Sequence, residues 1–77
     1  MKLANRIRLL RSVKGFSQSY VADRLNISQA AYSKIEHRAE KCSLVTLAKL
    51  ASVLEVSTVF LIDTNNDKFT EQKKGDI

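Results

Sequence analysis

Residues 16–36 read FSQSYVADRLNISQAAYSKIE, and the serines Ser17 and Ser28 decide how this stretch folds. A serine hydroxyl accepts a hydrogen bond from an unpaired N–H in the first turn of a helix, so each serine marks a helix start. The spacing predicts one helix over residues 18–25, with Val21, Ala22 and Leu25 on one side. It closes at Asn26, because asparagine is among the few residues besides glycine that tolerate a left-handed backbone. Ile27 follows, Ser28 caps, and residues 29–36 make a second short helix with Tyr32 and Ile35 turned inward. Two short helices joined by the tight turn Leu25-Asn26-Ile27 have the geometry of a helix-turn-helix unit.

With Tyr32 and Ile35 inward, a rotation of about 100° per residue turns Gln29, Ala30, Ser33 and Lys34 outward. Such a face suits base edges in a DNA major groove about 12 Å wide. Glutamine can make a bidentate contact to adenine, lysine can donate to guanine, and an alanine methyl can touch the thymine methyl. The free N–H groups at the two helix starts, Gln18 and Gln29, favour phosphate oxygens.

Upstream, Leu3, Ile7 and Leu10 follow the spacing of one helix face over residues 2–13, with Ala4 beside them and Arg6, Arg8 and Arg11 at other positions. Gly15 stops that helix. The basic, amphipathic start MKLANRIRLLRSVKG superficially suggests a targeting segment, but it runs straight into a patterned domain and reads as the first helix. Downstream, Ser43 caps a helix over residues 44–54 whose Leu44, Leu47, Leu50, Ala51 and Leu54 form an apolar stripe. Ser57 caps a closing turn. From Asp63 the chain reads DTNNDKFTEQKKGDI, a flexible polar tail, and there is no internal repeat. The expected fold is all-α: a compact five-helix domain over residues 1–62 and a tail over 63–77.

The segment VSTVFLI, residues 56–62, carries five apolar residues in seven, more than one closing turn needs. Val56, Val59 and Leu61 are expected inside, leaving Phe60 or Ile62 for a partner. A homodimer interface is therefore expected around Val59, Phe60 and Ile62, together with the end of the fourth helix.

Composition narrows the function classes. The chain has 77 residues, enough for one domain, with 44% hydrophobic and 27% charged residues, no proline and two glycines. Its net charge is +5, unevenly spread: residues 1–49 hold ten Lys or Arg against three acidic residues, a net +7, and the remainder sums to −2. A basic front half on a small domain is the footprint of a polyanion partner. Cys42 is the one cysteine, so no intrachain disulfide can form and a cytoplasmic location is favoured. Cys42 itself reads as a small apolar filler. No apolar run approaches the roughly 18 residues of a membrane span. His37 lacks the Cys, His or Asp neighbours of a metal site, and no cofactor or metal is expected.

Beyond these patterns, residues 7–62 resemble the helix-turn-helix domain of the phage repressor and Cro proteins, the xenobiotic-response-element-like group. The matching residues are Leu10-Arg11, Gly15-Phe16-Ser17-Gln18, Val21-Ala22, Leu25-Asn26-Ile27-Ser28-Gln29, Ser33-Lys34-Ile35-Glu36, Leu47-Ala48, Leu50-Ala51 and Leu54-Glu55-Val56-Ser57. The resemblance implies that Gln29, Ala30 and Lys34 face bases. It implies that Gln18 contacts a phosphate and braces Gln29, that Ser17, Ser28 and Lys41 contact phosphates, and that Arg11 and Glu36 form a partly buried ion pair. The family usually has glycine where this chain has Asn26, a mild change. It also has glycine at Arg38, where a left-handed arginine would be strained, so the loop 37–42 is expected to take another path while still presenting Arg38 and Lys41 to phosphates.

The function expected is a sequence-specific transcription regulator of double-stranded DNA, of the phage-repressor or restriction-modification-controller type, acting as a homodimer on a pseudo-palindromic operator. The alternative is an antitoxin, or another protein-interaction module, whose tail folds on a partner; Phe69 and Ile77 make a poor anchor for that. Nothing in the chain assembles a catalytic constellation or a phosphate-cradling glycine loop, so an enzyme is not expected. Few aromatics are available for stacking on single strands, which disfavours RNA as the partner.

Overall fold

The computed structural model describes residues 1–64. These form five α-helices and one short 3-10 turn: α1 (Leu3–Lys14), α2 (Gln18–Arg24), α3 (Gln29–His37), the turn Ala39–Lys41, α4 (Leu44–Val53) and α5 (Thr58–Ile62). Helix boundaries agree with the sequence expectation to within one residue. Of the expected tail, residues 65–77 lie outside the described residues. No helix among the described residues is long and apolar enough to cross a membrane.

Serines open four of the five helices. The hydroxyls of Ser17, Ser28, Ser43 and Ser57 accept from the N–H groups of Tyr20, Ala31, Thr46 and Phe60 at 2.9, 3.0, 3.2 and 3.0 Å. Three helices also close alike. Gly15, Asn26 and Glu55 take left-handed φ of 77, 63 and 63°. The N–H of the next residue (Phe16, Ile27, Val56) then reaches back to the carbonyl of Arg11, Ala22 or Ala51, each at 3.0 Å. This is the Schellman closure, and its apolar residue drops onto the core. A left-handed residue, an apolar residue and a capping serine thus recur as Gly15-Phe16-Ser17, Asn26-Ile27-Ser28 and Glu55-Val56-Ser57, so one turn design sets three of the inter-helix corners.

The core is built from Ala4, Ile7 and Leu10 of α1, Val21 and Ala22 of α2, Tyr32 of α3, Ala39 of the 3-10 turn, Leu47, Leu50 and Ala51 of α4, Leu54 just after it, and Leu61 of α5. α2 packs against α3 and α4, while α1 spans α3, the 3-10 turn and α5. Tyr32 is fully buried and Ile35 partly so, as their spacing predicts.

Three expectations need correcting. Leu44 has the phase of the α4 stripe but sits at its first residue, beyond the packed end, and is 64% exposed. Val59, expected inside, is 71% exposed, because a helix of five residues buries only one narrow face and Leu61 takes it. Arg6 is the converse. It lies between Leu3 and Ile7 on the apolar side of α1 and is fully buried. Its Nε and a terminal nitrogen donate to the Phe60 carbonyl at 3.1 and 2.8 Å, and its guanidinium lies 4.7 Å from the centre of the Phe60 ring. A cation on the carbonyls that end a helix is favourably placed in the helix dipole. Phe60, expected to be available to a partner, is thereby largely occupied inside the chain.

Candidate nucleic-acid interface

α3 divides its residues between two tasks. Tyr32 and Glu36 are buried, whereas Gln29, Ala30 and Lys34 are exposed and Ser33 is half-exposed. The four residues expected at base edges therefore share one outer face. Ser17 and Ser28 are exposed at the starts of α2 and α3. Each hydroxyl oxygen accepts its cap bond, which leaves the hydroxyl proton available to a phosphate.

The loop after α3 avoids the left-handed conformation, as anticipated from the arginine there. Arg38 adopts φ −113 and ψ 36°, and its N–H bonds the Lys34 carbonyl at 2.9 Å. Ala39 is fully buried, and the Glu40 carboxylate accepts from the Ala4 N–H at 3.4 Å. That contact supplies α1 with a distant cap, since Lys2 gives it no side-chain cap of its own. Cys42 is half-buried, its Sγ 3.6 Å from the Arg38 carbonyl, and burial together with the Glu40 charge pushes its thiol up. A concavity lined by Ser33, Lys34, His37 and Arg38 adjoins one lined by His37, Arg38, Glu40 and Lys41. Ser33 and Lys34 of α3 line the first and Lys41 the second, while His37 and Arg38 are common to both. His37 sits between them, which its sequence context, read only for metal ligation, did not reveal.

Glu36 ties the unit together. Oε2 accepts from Arg11 Nε at 2.7 Å and from the Tyr32 hydroxyl at 2.8 Å. Oε1 accepts from Gln18 Nε2 at 2.8 Å and from a terminal nitrogen of Arg11 at 3.4 Å. Arg11 donates further to the Phe16 carbonyl at 3.0 Å. The ion pair implied by the resemblance is present, and it is larger than a pair: it joins α1, α2 and α3 through one carboxylate. Burial pushes the Glu36 carboxyl up, but the bonds from Arg11, Gln18 and Tyr32 outweigh it and hold the group below the usual range. Burial and the bond to Glu36 raise the Tyr32 phenol well above its ordinary value. One amide N–H of Gln18 serves Glu36, and no hydrogen bond joins its side chain to Gln29 among the described residues.

Comparison with known proteins settles the class. A helix-turn-helix family profile matches residues 7–61. The chain belongs to this helix-turn-helix family. The helix-turn-helix chain is 39% identical over 64 residues to the SPbeta prophage-derived uncharacterized HTH-type transcriptional regulator YonR of Bacillus subtilis, covering 83% of this chain and 59% of that protein. It is 35% identical over 74 residues to antitoxin HipB of Escherichia coli, covering 94% of this chain and 83% of HipB. It is also 27% identical over 70 residues to the HTH-type transcriptional regulator RamB of Mycobacterium tuberculosis, of which it spans 15%. No solved structure matches significantly. Membership makes residues 7–61 a helix-turn-helix domain, the kind of domain carried by the HTH-type transcriptional regulators to which the chain is similar.

Proposed function

We propose that the protein is a sequence-specific transcription regulator that inserts α3 into the DNA major groove, bound as a homodimer to a pseudo-palindromic operator in the cytoplasm. The observation that carries this is the division of α3: Tyr32 and Glu36 lock it to the body while Gln29, Ala30, Ser33 and Lys34 stand free on its outer face. Ser17, Gln18, Ser28, Arg38 and Lys41 supply the phosphate contacts that set its register. Gln18 gives one amide N–H to Glu36, so its second amide N–H and its backbone N–H are the donors it brings to a phosphate. A two-fold dimer through Val59 and Ile62 places two such helices about one helical turn, ~34 Å, apart.

Selection of random duplex DNA at near-physiological salt, followed by sequencing, tests the reading. The expected result is an inverted repeat with half-sites about one turn apart. On that site Gln29→Ala costs about 1–3 kcal/mol and relaxes preference at one base pair. Recovery of no motif, with binding that vanishes as salt rises, counts against specific readout.

A second reading has its own support. A relative aligned over 94% of this chain is named an antitoxin. In that case the protein also neutralises a partner protein, and operator binding belongs to autoregulation. Co-expression with the product of the neighbouring gene, scored for rescued growth, separates the two.

A further inference from the structure

The Glu36 cluster holds more positive charge than its carboxylate can bind. A carboxylate has about four lone-pair sites. Arg11 fills two of them, Tyr32 one and Gln18 one. Arg8 arrives as a second arginine: its Nε lies 3.8 Å from Glu36 Oε1, too far for a hydrogen bond but close enough to feel the charge. This is the only ion pair of Arg8 among the described residues. Its side chain is nevertheless held in place, because one terminal nitrogen donates to Asn5 Oδ1 at 2.7 Å. The side chain is 40% exposed, and no other hydrogen bond of its guanidinium is found among the described residues. The local sum is two guanidinium charges against one carboxylate.

We propose that Arg8 is a further DNA-backbone contact, donating to a phosphate beside the start of α2 and so extending the protein–DNA interface onto α1. This rests on the DNA-binding reading above. Three observations converge on it. Arg8 and Gln18 approach the same oxygen of Glu36, which places the guanidinium next to the residue that opens α2. The excess charge is one unit, the charge of one phosphodiester. The fork is pre-oriented by Asn5, and an ordered guanidinium matches phosphate oxygens with two parallel bonds.

The experiment is binding of a short mixed-sequence duplex across a salt series to the full-length protein and to Arg8→Ala, Arg8→Gln, Arg8→Lys and Lys41→Ala, with thermal melting of each. Loss of one phosphate contact lowers the slope of log K against log salt by about 0.9. Arg8→Ala and Arg8→Gln are expected to show that loss and to bind several-fold more weakly, while Arg8→Lys keeps the slope. Should Arg8→Ala melt early, Arg8→Gln, which keeps a polar donor of unbranched stem without the charge, carries the test. An unchanged slope in both, with Lys41→Ala reduced, overturns the role of Arg8 and leaves the DNA-binding reading standing. A weaker affinity at unchanged slope makes Arg8 structural and equally overturns it. Absence of salt-dependent binding by the wild-type protein overturns the functional reading, and this one with it.

Discussion

Glu36 shows how one side chain can organise a small domain. Removing a carboxylate from water is costly, and here three donors from three helices repay it. The consequence is a stability that depends on pH. Because the folded-state carboxyl titrates below its ordinary value of 4.5, the bonds contribute fully above that pH. They are lost as pH falls through the lower folded value. Thermal melting is therefore expected to hold steady at neutral pH and to drop on acidification below about pH 4.5, and a Glu36→Gln variant should show a flatter profile over that acid range. Tyr32→Phe removes one donor without a gross change of shape and should cost about 1–3 kcal/mol in urea denaturation. An acid profile identical in wild type and Glu36→Gln would remove the carboxylate from this role.

At the scale of elements, the recurring corner explains why seventy-odd residues without proline fold so sharply. Gly15 takes its left-handed conformation without strain, and Asn26 nearly so. Glu55 pays the steric cost of its Cβ, offset in part by an exposed ion pair to Lys14 at 3.2 Å. Glu55→Gly should therefore raise stability by about 0.5–1 kcal/mol, and Gly15→Ala should lower it by about 1 kcal/mol. Nothing lies within 4 Å of a Cβ built on Gly15, so that loss comes from the backbone alone. Urea midpoints for the two variants, moving in opposite directions, would check both. Local signals made these elements legible: four serines mark the starts, and Gly15 and Asn26 mark two of the stops. Glu55 carried no such signal, since glutamate seldom adopts that conformation. Contacts between distant residues were also hidden. Arg6 meets Phe60 across 54 positions and Gln18 meets Glu36 across 18, and neither separation leaves a periodic trace. Arg6 could have been suspected only from its place between Leu3 and Ile7 on the apolar side of α1. The outer face of α3 was legible because burying Tyr32 and Ile35 determines what remains outside.

For the whole molecule, exposed apolar side chains occur on α1, α4 and α5 alike, as Val13, Leu44, Val45, Val59 and Ile62 show. The basic residues concentrate in α1 to the loop after α3, and Val59 and Ile62 stand exposed on α5 at 71% and 38%. Substituting either costs the isolated chain little, about 0.5 kcal/mol, because neither carries the core. Val59→Asp with Ile62→Asp is therefore expected to leave the melting of dilute protein nearly unchanged while weakening self-association at least tenfold, measured by sedimentation equilibrium at micromolar concentration. A wild-type chain that stays monomeric there, and on DNA, would remove α5 as the dimer contact.

The division of α3 reaches beyond stability. Its inward residues answer to the fold and its outward residues answer only to what they meet, so the two sets can vary independently. Gln29, Ala30, Ser33 and Lys34 can be rewritten one by one with little effect on the scaffold that carries them. On the proposed DNA-binding reading, a lineage built on this frame would change its target site in single mutational steps without passing through unfolded intermediates, and a laboratory library confined to these four positions is expected to yield new specificities on the same folded body.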